Sequence, residues 1–272
     1  MKEFKNDRRA GAARPAKPQC PPESTPDEGV VVGRNAVREL LRSGRTVDKI
    51  LMQKSGDRSG SILMLLREAL ERGIPVVEAE KAKLDGIAGV LPHQGIVAYV
   101  AEKEYCTVED ILAIAKERGE DPFVVLCDGV TDPHNLGAVI RSAECCGAHG
   151  VIIPKRRASG VTAVVAKASA GAVEHMAIAK VTNLAATLEF LKEQGIWTYA
   201  AEAGGENLYK TDLRGPVAIV LGSEGEGVSQ VLKKNCDAIL SIPLYGKVNS
   251  FNVSAAAAII LAEVAKSHHK EP

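Results

Sequence analysis

FVVLCDGVTDPHNLGAVIRSAECC, residues 123–146, holds in one line the pattern that organises most of the chain. Residues 123–127 are five apolar side chains without polar alternation, the signature of a strand covered on both faces. A polar turn follows in which Pro133 fixes the backbone, and from 136 to 146 apolar positions return at helical spacing. The same succession recurs downstream. It predicts strands over 151–153, 175–179, 197–201, 217–221 and 238–242, and helices over 161–169, 184–193, 228–234 and 253–267. Apolar strands between amphipathic helices imply an α/β fold, a mostly parallel sheet with helices on both faces, whose ligands bind beyond the carboxyl ends of the strands.

Upstream, a helix is expected over 108–118, and the charged stretch 102–107 before it reads as a linker. Residues 29–104 form a separate small α/β unit, with helices over 34–43 and 61–72 and strands over 49–52, 74–77 and 96–100. Residues 1–28 mix Pro, Lys, Arg, Glu and Ala without periodicity and offer too few apolar groups for a core, so they read as a disordered tail. The resulting division is tail 1–28, small unit 29–104 and main unit 105–272.

At 272 residues and 46% hydrophobic, the chain can bury two cores. No apolar run reaches the roughly 18 residues of a membrane helix. The opening lacks the apolar centre of a secretory signal, so the expected compartment is the cytoplasm, with no membrane partner. Six cysteines (Cys20, Cys106, Cys127, Cys145, Cys146, Cys236) show neither paired C-x-x-C spacing nor scaffold density. They read as reduced thiols, and no metal is expected. The net charge is zero, with +1, +2 and −3 in the three segments. Bulk electrostatics therefore cannot hold a nucleic acid, and any RNA contact must use local clusters such as Lys155-Arg156-Arg157.

Three loops at strand ends carry the chemistry. In the first, after residue 127, Asn135 stands where its side-chain oxygen can cap a helix, while Arg141 has no packing reason to sit on a small, apolar helix. The second, VAIVLGSEGEGV at 217–228, combines three glycines with two carboxylates and no following lysine. It matches neither the P-loop nor the dinucleotide fingerprint and suits a positively charged ligand better than a phosphate. The third, LSIPLYGKVNSFNVS at 240–254, is amide-rich for the entrance to an alanine helix. Asn252 or Ser254 as an N-cap explains one of these residues, but not Asn249, Ser250 and Asn252 together. The alanines at 255–258 permit close approach of another element, either the sheet or a second copy.

N-x-G-x-x-x-R, L-G-x-E-G-x-G and I-P followed by N-V-S, in this order, resemble the SpoU (TrmH) family of RNA ribose 2′-O-methyltransferases, within the larger SPOUT group. The resemblance covers nearly all of 29–272. It implies a catalytic domain with a deep trefoil knot, S-adenosylmethionine as methyl donor and a homodimer joined through that domain. The small unit resembles an L30e-like RNA-binding module of the branch that methylates a guanosine in 23S rRNA; a tRNA substrate is the alternative. Carried over by position, Gly222, Ile242 and Phe251 line the donor pocket, and Asn135, Arg141, Glu224, Ser250 and Asn252 are the catalytic candidates.

The resemblance assigns the arginine as the base that takes the hydroxyl proton. A guanidinium, with a pKa above about 12, equally fits the role of a fixed charge beside the developing alkoxide. His134 is a rival base on titration grounds. Gly171 and Glu174 border either an RNA cleft or only a tight turn. Two other classes remain in view. A nicotinamide oxidoreductase lacks its fingerprint glycines here, and a non-catalytic RNA-binding protein would have no use for Asn135, Arg141 and Glu224 together.

Overall fold

The computed structural model describes residues 29–54, 60–100 and 103–268, so the tail expected at 1–28 lies outside the described residues. The small unit runs β1 (Val30–Val32), α1 (Arg34–Arg42), β2 (Val47–Gln53), α2 (Gly60–Glu71), β3 (Val76–Ala79), α3 (Lys81–Ala88) and β4 (Ile96–Val100). Its sheet has the order β1-β4-β2-β3, with β2 and β3 parallel and β4 antiparallel to both neighbours. Helix α3 was not foreseen, because only Leu84 and Ala88 of its eight residues are buried and Gly86 interrupts it.

The main unit begins with α4 (Val108–Arg118), started by a reciprocal Thr107–Asp110 capping box and ended by left-handed Gly119. There follow β5 (Phe123–Cys127), α5 (Pro133–Cys145), β6 (Gly150–Pro154), α6 (Ala163–Ala168), β7 (Ile178–Val181), α7 (Leu184–Glu193), β8 (Trp197–Asn207), β9 (Val217–Leu221), α8 (Gln230–Asn235), β10 (Ala238–Ser241) and α9 (Val253–His268). The six strands are parallel in the order β10-β8-β9-β5-β6-β7. Alternate residues of β5 feed opposite cores. Phe123, Val125 and Cys127 pack with residues of α5, α6 and α9, while Val124 and Leu126 pack with residues of α4, α7 and α8. The strand expected over 175–179 starts later, since Ala172–Glu174 form a 3-10 turn that carries the chain past His175.

The stretch expected to be a linker is instead partly joined to the sheet. Cys106 bridges Ala179 in parallel fashion, its N–H donating to Ile178 O at 3.0 Å. The two units also share a seam. Ala163 and Val164 of α6 are buried among Val30, Val32 and Leu84 of the small unit. Beside them Arg45 Nη1 meets both oxygens of Glu174, at 2.9 and 2.7 Å, with the Glu174 side chain only 1% exposed. Glu174 thus faces the small unit rather than an RNA cleft. Gly171, with φ +91°, is required there because a Cβ would fall 2.4 Å from that of Glu39. Burial lowers the pKa of Lys103, close to the same pair.

Candidate active site

The carboxyl ends of β10, β8, β9 and β5 are neighbours in the sheet, so the loops that leave them converge. Asp132 caps α5, its Oδ1 accepting from His134 N at 2.8 Å, and Pro133 takes a first-turn position where no N–H is needed. That arrangement corrects the capping role offered to Asn135. The Asn135 side chain instead donates Nδ2 to Glu224 Oε1 at 2.7 Å and to Asp132 Oδ2 at 3.3 Å.

Glu224, in the loop after β9, receives a second amide: Asn252 Nδ2 donates to the same Oε1 at 2.6 Å, and to Asn135 Oδ1 at 3.2 Å. At its other end Asn252 Oδ1 accepts from Ser254 N at 2.9 Å and Ala255 N at 3.4 Å, capping α9. One side chain therefore ends a turn and joins the cluster. Charge-assisted bonds of this kind are stronger than neutral ones and hold the three loops in one geometry.

The glycine loop closes on itself through Ser223 N to Gly227 O and Gly227 N to Ser223 O, both 3.1 Å. A Cβ on Gly222 would lie 2.0 Å from the carbonyl carbon of Gly227 and 2.1 Å from Val228 N, so only glycine fits there. Asp128, at the end of β5, ties this loop to its own by accepting from Ser229 N at 2.8 Å. The adjacent Cys127 thiol is pushed up to about 12, first by burial and then by the Asp128 charge, which removes it as a nucleophile.

Against this loop lies a cavity of about 480 Å³, within the usual range of small-molecule sites. Gly222, Ile242 and Phe251, the three expected donor-pocket residues, all line it, as do Glu224 and Ser250. Among the described residues no lysine or arginine does. Asn135 and Asn252 stand behind Glu224 rather than on the wall. Glu202 is a lining residue that sequence reasoning missed. Its register explains why: β10 pairs Ile239 with Ala200 but Leu240 with Glu206, so the intervening residues of β8 bulge. Gly205 makes the return possible, since a Cβ there would sit 2.2 Å from Ile239 O. Glu202 Oε2 accepts from Val228 N at 3.3 Å and pairs with Lys233 Nζ at 3.0 Å.

Arg141 is not brought to this cluster. Six helical residues from Asn135 put it about 9 Å along the axis and about 120° around it. Its guanidinium is exposed and has no hydrogen bond or ion pair among the described residues. The His134 ring is likewise exposed and unengaged among the described residues. Among the described residues no group of three His, Cys, Asp or Glu could hold a metal ion, and no helix is long and apolar enough to cross a membrane.

Residues 122–262 match the pattern described as the SpoU rRNA Methylase family, and residues 30–106 match one described as RNA 2′-O ribose methyltransferase substrate binding. A protein of Bacillus subtilis strain 168 assigned by name to the TrmH family of tRNA/rRNA methyltransferases is 43% identical over 235 residues, covering 86% of this chain and 94% of that one. A protein of Staphylococcus haemolyticus named for the same family is 44% identical over 244 residues, covering 89% and 96%. Among solved structures, the SpoU methyltransferase AviRb of Streptomyces viridochromogenes, in complex with AdoMet, shares the fold at a TM-score of 0.72 and 24% identity, covering 87% of this chain and 89% of that one. A TrmH-family protein of Porphyromonas gingivalis aligns at 0.65 and 26%, covering 86% and 88%.

Proposed function

The chain belongs to the SpoU rRNA methylase family, and from that premise we propose that it carries the methyl group of S-adenosylmethionine to a ribose 2′-hydroxyl of RNA, at a guanosine of 23S rRNA. The observation that carries this reading is the cavity at the carboxyl edge, walled by glycine main chain and bearing two carboxylates, Glu224 held by amides alone and Glu202 paired with Lys233 behind the wall. That surface fits a ligand with a positive charge and rejects a polyphosphate. When bound, S-adenosylmethionine supplies a methyl carbon made electrophilic by a cationic sulfur. Gly222, Ile242 and Phe251 hold it, while Glu224 faces its positive groups.

The remaining work falls to side chains. Asn135 and Asn252 fix the Glu224 carboxylate through their amides. Ser250, exposed on the cavity rim, meets the ribose. The Arg141 guanidinium stabilises the developing alkoxide, water or an RNA phosphate taking the proton. Because Arg141 makes no hydrogen bond or ion pair with its own cluster among the described residues, a second copy joined through the catalytic units brings the guanidinium to the site. The small alanines Ala255, Ala258 and Ala262, exposed on α9 beside α5, support that close approach. The small unit selects the RNA, and the cytoplasm is the compartment.

Mapping ribose methylation across total RNA from cells with and without the protein tests the proposal. One protein-dependent 2′-O-methylguanosine in 23S rRNA is the expected result. A new mark in tRNA moves the substrate to the alternative, and a methyl group on a base, or no donor affinity in calorimetry, overturns the reading.

A further inference from the structure

Resting on that reading, we propose that the loop after β6 is a preformed rail for RNA phosphates, leading the strand that flanks the target nucleotide from the small unit toward the donor cavity. Between Glu144 and Glu174 the sequence contains no carboxylate, yet it holds Lys155, Arg156, Arg157 and Lys167. In a chain of zero net charge this is a local asymmetry. The side chains of Lys155, Arg156 and Arg157 are exposed and have no hydrogen bond or ion pair among the described residues. The carboxylate that ends the acid-free stretch, Glu174, is buried against Arg45 and projects no charge onto this surface.

Placement gives the triplet a direction. Strand β6 is next to β5, so its loop emerges beside the turn that carries Asn135. Ser159 N donates to Val130 O at 3.1 Å and Lys155 N to Val181 O at 2.8 Å, which pins both ends of the loop. Between them Arg157 adopts a left-handed conformation, φ +59°, a strained state that a floppy segment would relax. Farther from the cavity, Lys167 of α6 donates to Pro92 O beside a cleft of about 450 Å³ in the small unit, lined by Arg34, Lys81 and Gln94 and by Asp85, whose carboxylate meets His93 Nε2 at 3.0 Å. The loop, α6 and that cleft thus follow one another, each bearing cations, from the edge where β5 and β6 end to the small unit. Fixed cations without base-reading partners contact phosphates and supply affinity rather than sequence choice.

The full chain carrying R156S and R157S is compared with one carrying K116S and R118S, which removes the same charge from the end of α4 at the opposite edge of the sheet. Binding of a fluorescein-labelled 20-nucleotide oligouridylate is followed by anisotropy between 50 and 200 mM KCl. Each lost phosphate contact lowers the log–log salt slope by about 0.7, so R156S/R157S should lower it by about 1.4 and the α4 variant not at all. On total RNA from cells lacking the gene, R156S/R157S should raise KM about tenfold with kcat within about twofold, donor affinity and melting temperature staying unchanged. An unchanged slope, an equal drop in the α4 variant, or no binding by the unaltered protein overturns the rail. A slope difference in a protein that methylates no ribose sinks the enzymatic reading instead and leaves the rail standing.

Discussion

The two edges of the six-stranded sheet are built from the same strands and are put to opposite uses. At the amino edge His149, 4% exposed, accepts from Phe123 N through Nδ1 and meets Glu120 through Nε2, both at 3.0 Å, beside a cavity of about 190 Å³. Its imidazole satisfies the backbone of the strand next door. At the carboxyl edge Asn135, Glu224 and Asn252 satisfy one another, across loops 89 and 117 residues apart in the chain. Polar groups spent on backbone close an edge and stabilise the fold. Polar groups spent on each other can keep a cavity open, because their geometry survives without filling it.

Substitutions should separate the two edges. Arg141→Ala should reduce methyl transfer by about a thousandfold, the upper range for loss of a fixed charge-stabilising donor, while donor affinity by calorimetry stays within error. Full activity in a radiolabelled methyl assay would remove Arg141 from the carboxyl-edge machinery. Gly222→Ala forces a methyl group into the main chain of the same loop and should weaken donor binding about a hundredfold, with circular dichroism unchanged. Normal donor affinity there would mean that the crowded loop is not the donor wall.

His149→Phe is the counterpart at the other edge. It leaves the buried Phe123 N–H without an acceptor and should lower urea stability by about 1–3 kcal/mol, while activity per folded molecule holds. A loss of turnover would break the division of labour. The smallest effect is in pH. Burial holds the His149 pKa below its ordinary 6.5, the Glu120 contact opposing in part. The unfolded chain therefore takes up a proton before the folded one does, and the histidine's contribution, complete above pH 6.5, is lost as pH falls toward the folded value. Unfolding curves from pH 7.5 to 5 should slope in that sense, and less so for His149→Phe.

The legible parts of the molecule were those where local pattern and tertiary role coincide. β5 and β9 are continuous apolar runs buried on both faces, and all three motif-bearing loops leave such strands or begin helices. Asn252 was ambiguous between cap and site because it is both. What stayed hidden depended on pairing rather than pattern. Glu202 reaches the cavity through a register shift against β10, and Cys106 joins β7 by one bridge inside a charged stretch. Nor does spacing reveal that Asp132, rather than Asn135, caps α5, although an aspartate directly before proline was a signal for it.

The seam between the units bears on how such a chain can be inherited or re-engineered. Glu39 of the small unit occupies the space that a side chain at Gly171 would need, and Arg45 is the ion-pair partner of the buried Glu174 carboxylate. A hybrid that takes its front part from one relative and its back part from another must carry Glu39, Arg45, Gly171 and Glu174 across as a matched set. A mismatch at that joint strands a charge in the interior at about 3–5 kcal/mol, enough to unfold many marginally stable chimaeras.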